Sequence, residues 1–253
     1  MAKESKGKSV NWRIVIGVTG LVLVTASAAM ATLRVRRFVT TDSQFSLSRD
    51  RTDALQVEGQ RYAARSRILS VFAGDFDRSV FAVPLAERRR RLLDIDWVED
   101  ASVSRIWPDR LAVRIRERKP VAFMLLHKAV LLIDADGVLL EQPPQSQFTF
   151  PVLSGISEQD TLEQRRDRVR TFLRVQADLG YLAKDVSEID ARDIGNIRVV
   201  AQVDNRAVEL LLGDSEYGRR YQNFLNHYPE IRKRSPEVKR FDLRLDDRIT
   251  ARE

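Results

Sequence analysis

The two histidines, His127 and His227, are a hundred residues apart, and neither has a second ligand at a spacing that a metal site would use. Asp75 with Asp77 and Asp94 with Asp96 have the spacing of acid pairs, but in a chain with 36 acidic residues such pairs arise by chance. Gly7-Lys8-Ser9 matches the end of a phosphate-binding loop; the first glycine of that motif would fall at position 2, which is Ala2. No Gly-x-Ser-x-Gly elbow is present, and eleven glycines are spread too thinly for a phosphate cradle. The basic run Glu87-Arg88-Arg89-Arg90-Arg91 carries charge that RNA or an anionic lipid would accept. It lacks the aromatic interleaving that stacks bases, and as a helix face it is solvated and balanced by nearby acids. These residue types point away from catalysis. No catalytic residue, cofactor, metal or small-molecule substrate is expected, which leaves binding through surfaces.

The elements begin with residues 14 to 33, IVIGVTGLVLVTASAAMATL, which run twenty residues without a charge between Arg13 and Arg34. As a helix this run is about 30 Å long, the thickness of a bilayer's hydrocarbon layer. It predicts a single transmembrane helix, with residues 1 to 13 as a cytoplasmic tail. The small-x-small triplets Ala26-Ser27-Ala28 and Ala29-Met30-Ala31 offer a cleaved signal peptide as the rival, against which Arg34, Arg36 and Arg37 resemble a stop-transfer flank. The formal charge is +7, but seven basic residues and one acidic one lie within the first 37, so the remaining 216 carry 36 basic and 35 acidic groups. A nearly neutral body removes most of the case for nucleic acid. The bias of Lys and Arg across the span is slight and favours a cytoplasmic N-terminus with the bulk of the chain outside. The absence of cysteine avoids disulfide chemistry without deciding the compartment.

Residues 34 to 53 are expected to form a membrane-proximal spacer with a short strand at Phe45 to Leu47. From Ala54 the pattern gives a strand (54 to 59), a helix (63 to 72) with Ile68, Leu69 and Phe72 inward, and a second helix opened by Pro84. In that helix Leu85, Leu92 and Leu93 share a face and the arginines lie mostly off it. A hairpin follows, 98 to 107 and 110 to 118, with a core of Trp97, Val103, Leu111, Val113 and Ile115. After Pro120 come VAFMLL and AVLLID, with His127 placed in a strand, and an Asp136-Gly137 turn leading to VLL. A helix over 158 to 179 presents Leu162, Val169, Phe172, Leu173 and Leu179. Strands VSEID, NIRVVAQV and AVELLLG follow, the second alternating Ile197, Val199, Ala201 and Val203. Asp214 is read as the cap of a helix bearing Tyr217, Tyr221, Phe224, Leu225 and Tyr228, with Pro229 as its stop. The chain then gives VKRFDLRL, a turn at Asp246-Asp247, and a last strand over 248 to 252. That strand has one neighbour guaranteed by its own hairpin, so its other edge is free to pair with an incoming strand. Its alternation sets Arg248 and Thr250 against an apolar face of Ile249 and Ala251.

The order of features, with WVEDASVSRIWPDRLAVRIRERKPVAF (97 to 123), LLIDADGVLL (131 to 140) and FDLRLDDRITAR (241 to 252), resembles the bacterial division family FtsQ, called DivIB in Gram-positive bacteria. The fold class expected is α+β: one N-terminal transmembrane helix (14 to 33), a POTRA-type βααββ module (54 to 119), then a mixed α/β domain with a largely antiparallel sheet (120 to 253). The resemblance implies a non-catalytic bitopic scaffold of the divisome in the cell inner membrane at the septum, with its bulk periplasmic. Its implied partners are the FtsB-FtsL pair and other septal division proteins. It adds Arg244 and Leu245 to Arg248, Ile249, Thr250 and Ala251 as the partner-binding residues. The alternatives are a POTRA-bearing component of outer-membrane protein export, which needs a C-terminal barrel of alternating strands, and a soluble protein exported by a signal peptide.

Overall fold

A computed structural model describes the backbone of residues 12–144, 146–245 and 248–252. The expected cytoplasmic tail up to residue 11, with Gly7-Lys8-Ser9, and the expected turn at Asp246-Asp247 lie outside the described residues. Helix α1 runs from Trp12 to Thr41, so the uncharged run 14 to 33 is helical and the helix continues through eight residues assigned to a spacer. Among the described residues no helix is long and apolar enough to cross a membrane. The side chains of residues 13–19 and 22, within the apolar run, lie outside the description.

The chain divides into two compact units: residues 1–60, 64–95 and 100–116 form the first, and 61–63, 96–99 and 117–253 the second. In the first, β1 (Leu55–Glu58) lies parallel to β3 (Arg110–Glu117), with Leu55 beside Leu111 and Val57 beside Val113. Strand β2 (Val98–Ile106) is the other neighbour of β3. Helices α2 (Arg65–Ser70) and α3 (Leu85–Leu93) contribute Ile68 and Leu92 to a core shared with Leu111, Val113 and Ile115. After β1 the chain must turn against the sheet. Gly59, at φ +81°, makes that turn; a Cβ there would stand 2.1 Å from the Ile115 carbonyl oxygen.

Several details of this unit depart from the sequence reading. Phe45 closes a 3-10 turn (Ser43–Phe45) instead of starting a strand. The segment then pairs with residues 77 to 80 through Leu47 N–H to Arg78 O and Asp77 N–H to Leu47 O, both 2.9 Å, and buries Phe45 and Leu47. Arg88 is not on a wet face. The residue is 8% exposed, and its guanidinium forks onto the fully buried Asp75 at 2.5 and 2.8 Å. Val103 is only half-buried, and Trp97 groups with the second unit. There its ring lies 5.1 Å from Tyr62 and 6.3 Å from Phe148, and its indole N–H donates to Glu141 O at 2.9 Å.

The second unit is a nine-stranded sheet in the order β12-β11-β10-β9-β8-β7-β4-β5-β6. Its strands are β4 (Pro120–Leu126), β5 (Ala129–Asp134), β6 (Leu139–Glu141), β7 (Val152–Ser154), β8 (Val186–Asp190), β9 (Ile197–Val203), β10 (Arg206–Gly213), β11 (Arg240–Asp242) and β12 (Thr250–Arg252). Five of the eight junctions are antiparallel and three parallel, so the sheet is more mixed than expected. The sequence pattern does not show β7, an inner strand that sits parallel to both β4 and β8. Three residues between Pro151 and Gly155 are too few to show a period. Strand β9 has the alternation its sequence predicts, with Ile197, Val199, Ala201 and Val203 all buried.

Two helices cover one face. Helix α4 (Leu162–Leu179) starts at a capping box, in which the Thr161 hydroxyl accepts from Gln164 N–H and the Gln164 carbonyl accepts from Thr161 N–H. Val169, Phe172, Val175 and Leu179 point into the core, whereas Leu162 is exposed. Helix α5 (Tyr217–Arg234) brings Tyr217, Tyr221, Phe224 and Tyr228 against it. Its N-cap is Glu216 at φ +53°; Asp214 caps nothing, its backbone oxygen accepting from the Tyr217 hydroxyl at 2.7 Å. Pro229 does not stop α5. One lost hydrogen bond and a ring clash cost roughly 3 kcal/mol, and burial of Tyr228 beside Phe224 and of Ile231 against the core offsets this. His127 also lies elsewhere than expected: with Lys128 it forms the turn between β4 and β5, at φ +47° and +67°.

Candidate partner-binding edge of the sheet

The six residues singled out from the sequence come together at one edge of this sheet. Strand β11 holds the edge in place: it lies parallel to β10, with Leu210 beside Phe241. The Phe241 ring is buried 4.9 Å from Phe224 and 6.2 Å from Tyr228, which ties β11 to α5. Strand β12 is antiparallel to β11, pairing Asp242 with Thr250, Phe241 with Ala251 and Arg240 with Arg252. Among the described residues β12 is terminal in the sheet order, with β11 as its one neighbour.

The strand begins at Thr250, two residues later than expected; Arg248 and Ile249 precede it in irregular backbone. Ile249 is half-buried against the core, whereas Thr250 and Ala251 are both exposed. The expected apolar face is therefore carried by Ile249 alone, because a three-residue edge strand has nothing packed over it. Leu245 is 53% exposed, and the preceding Leu243 is buried, its N–H donating to Leu211 O at 2.9 Å.

Arg244 is fixed by partners the sequence reading did not find. Its Nε and Nη2 donate to the two Asp242 carboxylate oxygens at 2.9 and 2.8 Å, and Nη1 donates to Asn196 Oδ1 at 3.1 Å. The hydrogen bonds to Asp242 raise the guanidinium above its ordinary pKa, so it stays charged. Its stem lies near Gly213, where a Cβ would meet Arg244 Cγ at 3.2 Å. The Asp-Leu-Arg spacing that makes this fork is visible in the sequence, but Asn196 is reachable only through the pairing of β9, β10 and β11. Two clefts of about 330 and 250 Å3 flank the edge, where Ile249 and Asn223 line both. Arg234, Arg248 and Glu230 line the larger and Arg219, Arg220 and Leu245 the smaller, so arginines outnumber carboxylates in the lining, although Arg219 is itself paired with Glu216. No group of three or more His, Asp or Glu side chains is placed to hold a metal among the described residues. His227 bonds within its own helix through Nδ1 to Asn223 O at 2.9 Å.

A small three-stranded unit with two helices, followed by a mixed nine-stranded sheet whose terminal strands are β12 and β6, defines a POTRA-plus-sheet protein. The family models agree with that class: residues 51–118 match the POTRA domain of FtsQ type, and residues 125–244 match the C-terminal domain of the cell division protein FtsQ/DivIB. The chain belongs to the FtsQ/DivIB family of cell-division proteins. It is 36% identical over 204 residues to the cell division protein FtsQ of Koribacter versatilis, an alignment that spans 78% of this chain and 59% of that relative. FtsQ of Shewanella oneidensis is 24% identical over 247 residues, covering 96% of this chain and 87% of that one. The solved extracytoplasmic domain of DivIB from Geobacillus stearothermophilus matches at 17% identity over 47% of this chain and 95% of that domain, with a TM-score of 0.26. The second family match ends at Arg244, before β12 begins.

Proposed function

We propose that this protein is a non-catalytic bitopic scaffold of the bacterial divisome. In this reading α1 spans the inner membrane once, the N-terminus is cytoplasmic, and the two units stand outside the cytoplasm at the septum. The second unit receives an FtsB-like strand, from the FtsB-FtsL pair, along the outer edge of β12, with Arg244, Leu245, Arg248, Ile249, Thr250 and Ala251 as the contact residues. The observation that carries the reading is the terminal position of β12, whose outward N–H and C=O groups are a ready template for strand addition. The cationic clefts beside it favour a partner with acidic side chains.

Successive N–H groups of a strand point to opposite sides, so of Thr250 and Ala251 one donates outward and the other toward β11. Proline at each position in turn removes one donor without changing the charge. Binding of the FtsB-FtsL pair by the full-length protein is expected to fall at least tenfold for the variant that loses the outward donor, with its melting curve unchanged. If Thr250→Pro and Ala251→Pro both fold as the parent and both bind undiminished, the site is not this edge.

A further inference from the structure

The C-terminal end of α1 is fastened to the first unit. The Ser79 hydroxyl donates to Val39 O at 2.6 Å, Val80 N–H donates to Phe45 O at 2.9 Å, and Asp42 accepts from Gln44 N–H at 3.0 Å. Three aromatic rings reinforce the joint, Phe38 against Phe45 at 5.8 Å and Phe45 against Phe81 at 5.4 Å. The joint therefore fixes where residues 78 to 83 stand relative to the helix that the proposed function places in the bilayer. Val39 is six residues beyond Leu33, roughly 9 Å along a helix, and a headgroup layer is roughly 5–8 Å deep on each side of the hydrocarbon. The loop clasped to Val39 thus begins at the headgroup boundary.

The side chains presented at that level have the chemistry of a membrane interface. Arg34, Arg37, Phe38 and Thr41 share one face of α1 and, with Asp42, line a cleft of about 380 Å3. Phe38 is 53% and Phe81 38% exposed, although both rings are part of the joint. Arg34, Arg36, Arg37 and Arg78 are exposed and make no ion pair among the described residues. Arg105 adds a further cation, lying 5.9 Å over the Phe81 ring and donating to the carbonyls of Val80 and Val83 at 2.7 and 2.9 Å, with no carboxylate on its guanidinium. The Asp42 carboxylate caps the 3-10 turn, and two arginines against that one carboxylate leave the cleft with net positive charge. Arg34 and Arg37 on the face of Phe38, and Arg105 over the Phe81 ring, with Arg36 and Arg78 exposed on the same two segments, match the phosphates and the polar-apolar boundary of a lipid surface.

We propose that the first unit lies against the membrane, with Arg34, Arg37 and the 78 to 83 loop binding the headgroups of anionic phospholipids. This rests on the reading of α1 as a span, and it adds a second membrane contact made by the folded unit itself. The orientation of the unit is then held by lipid as well as by the joint. Because the chain has no cysteine, single sites can be labelled in the full-length protein reconstituted into vesicles. An environment-sensitive fluorophore is attached to Ala82→Cys in the loop, to Leu23→Cys in α1 and to Tyr181→Cys, an exposed position of the second unit.

The vesicles are phosphatidylcholine, with or without phosphatidylglycerol, carrying a nitroxide either at the headgroup or deep in the acyl chain. The probe at 82 is expected to be quenched by headgroup nitroxide, more strongly when phosphatidylglycerol carries it, and the probe at 23 from the acyl chain; the probe at 181 reports separately on the second unit. Each arginine near an anionic surface contributes about fivefold, so Arg34→Gln with Arg37→Gln should reduce the preference of site 82 for phosphatidylglycerol over phosphatidylcholine by more than about tenfold. A probe at 82 that headgroup nitroxide does not quench, with 23 still in the bilayer, overturns the headgroup contact alone. Equal quenching in both lipids that ignores the arginine changes overturns the anionic recognition. Loss of acyl-chain quenching at 23 overturns the span reading itself, and this proposal with it.

Discussion

Asp75 and Arg88 show how much of a fold can rest on one pair that composition hides. Four consecutive arginines look alike in sequence, and only the packing of α3 places one of them opposite a carboxylate with no exposed surface. Removing one partner from such a pair leaves an uncompensated buried charge, at a cost of roughly 3–5 kcal/mol. Arg88→Met is therefore expected to lower the denaturant midpoint of the first unit sharply, while Asp75→Leu combined with Arg88→Met recovers most of the loss. Equal destabilisation by single and double variants would show that packing around Arg88, and not its charge, is what matters. Tyr221 gives a second test at this scale. Burial, aided by Asp185, pushes its phenol up from 10.0 to about 12. A pKa raised on folding means that stability is intact below the unfolded value and is lost as pH rises from 10 toward 12, by about 2–3 kcal/mol at most. Tyr221→Phe should flatten the alkaline fall in unfolding free energy over that window.

At the scale of elements, the legible parts were those with a period long enough to count. Strand β9 alternates over seven residues where the sequence puts it, and the apolar stripe of α4 runs through Val169, Phe172 and Leu179 as expected, although the helix starts four residues late, at Leu162, which is exposed. Strand β7 and the end of α5 were not legible, for opposite reasons. The first is too short to show alternation, and the second continues through a proline because tertiary burial of Tyr228 and Ile231 outweighs a local penalty that the sequence displays openly. The candidate edge was half legible: its position followed from order along the chain, whereas the Asp242 and Asn196 contacts that orient Arg244 required the assembled sheet. Gly59 is the element-level position with the narrowest tolerance. At φ +81°, with a carbonyl oxygen 2.1 Å from the place a Cβ would occupy, Gly59→Ala must displace β1 from Ile115. It should cost at least about 1–3 kcal/mol, read as a lower melting temperature of the first unit. An unchanged melt would mean that the turn after β1 yields without disturbing the β1–β3 pairing.

At the scale of the molecule, the surfaces suited to contact differ in chemistry, and the proposed topology gives each a use. The near neutrality of the chain beyond residue 37 leaves local clusters, not overall charge, to choose partners. The cluster at the end of α1 suits lipid, and the open edge at β12 suits a peptide strand. The lipid assignment needs only that α1 spans the bilayer, whereas the strand-addition assignment needs the second unit outside the cytoplasm. The distribution of Lys and Arg supports this only weakly, with four before the apolar run and three just after it. Arginines bound to headgroups on the outer face reconcile the second group with an outward orientation, since a charge that is paired with phosphate there is held in place after insertion. The prediction is that a reporter active only outside the cytoplasm, joined after Glu253, is active in cells, and that Arg34→Gln with Arg37→Gln leaves it active because those residues follow the span. A stable but inactive fusion would reverse the topology and remove the proposed strand contact, leaving the headgroup contact to the quenching test, whereas activity lost only in the double variant would show that the two arginines help to set orientation as well as to bind lipid.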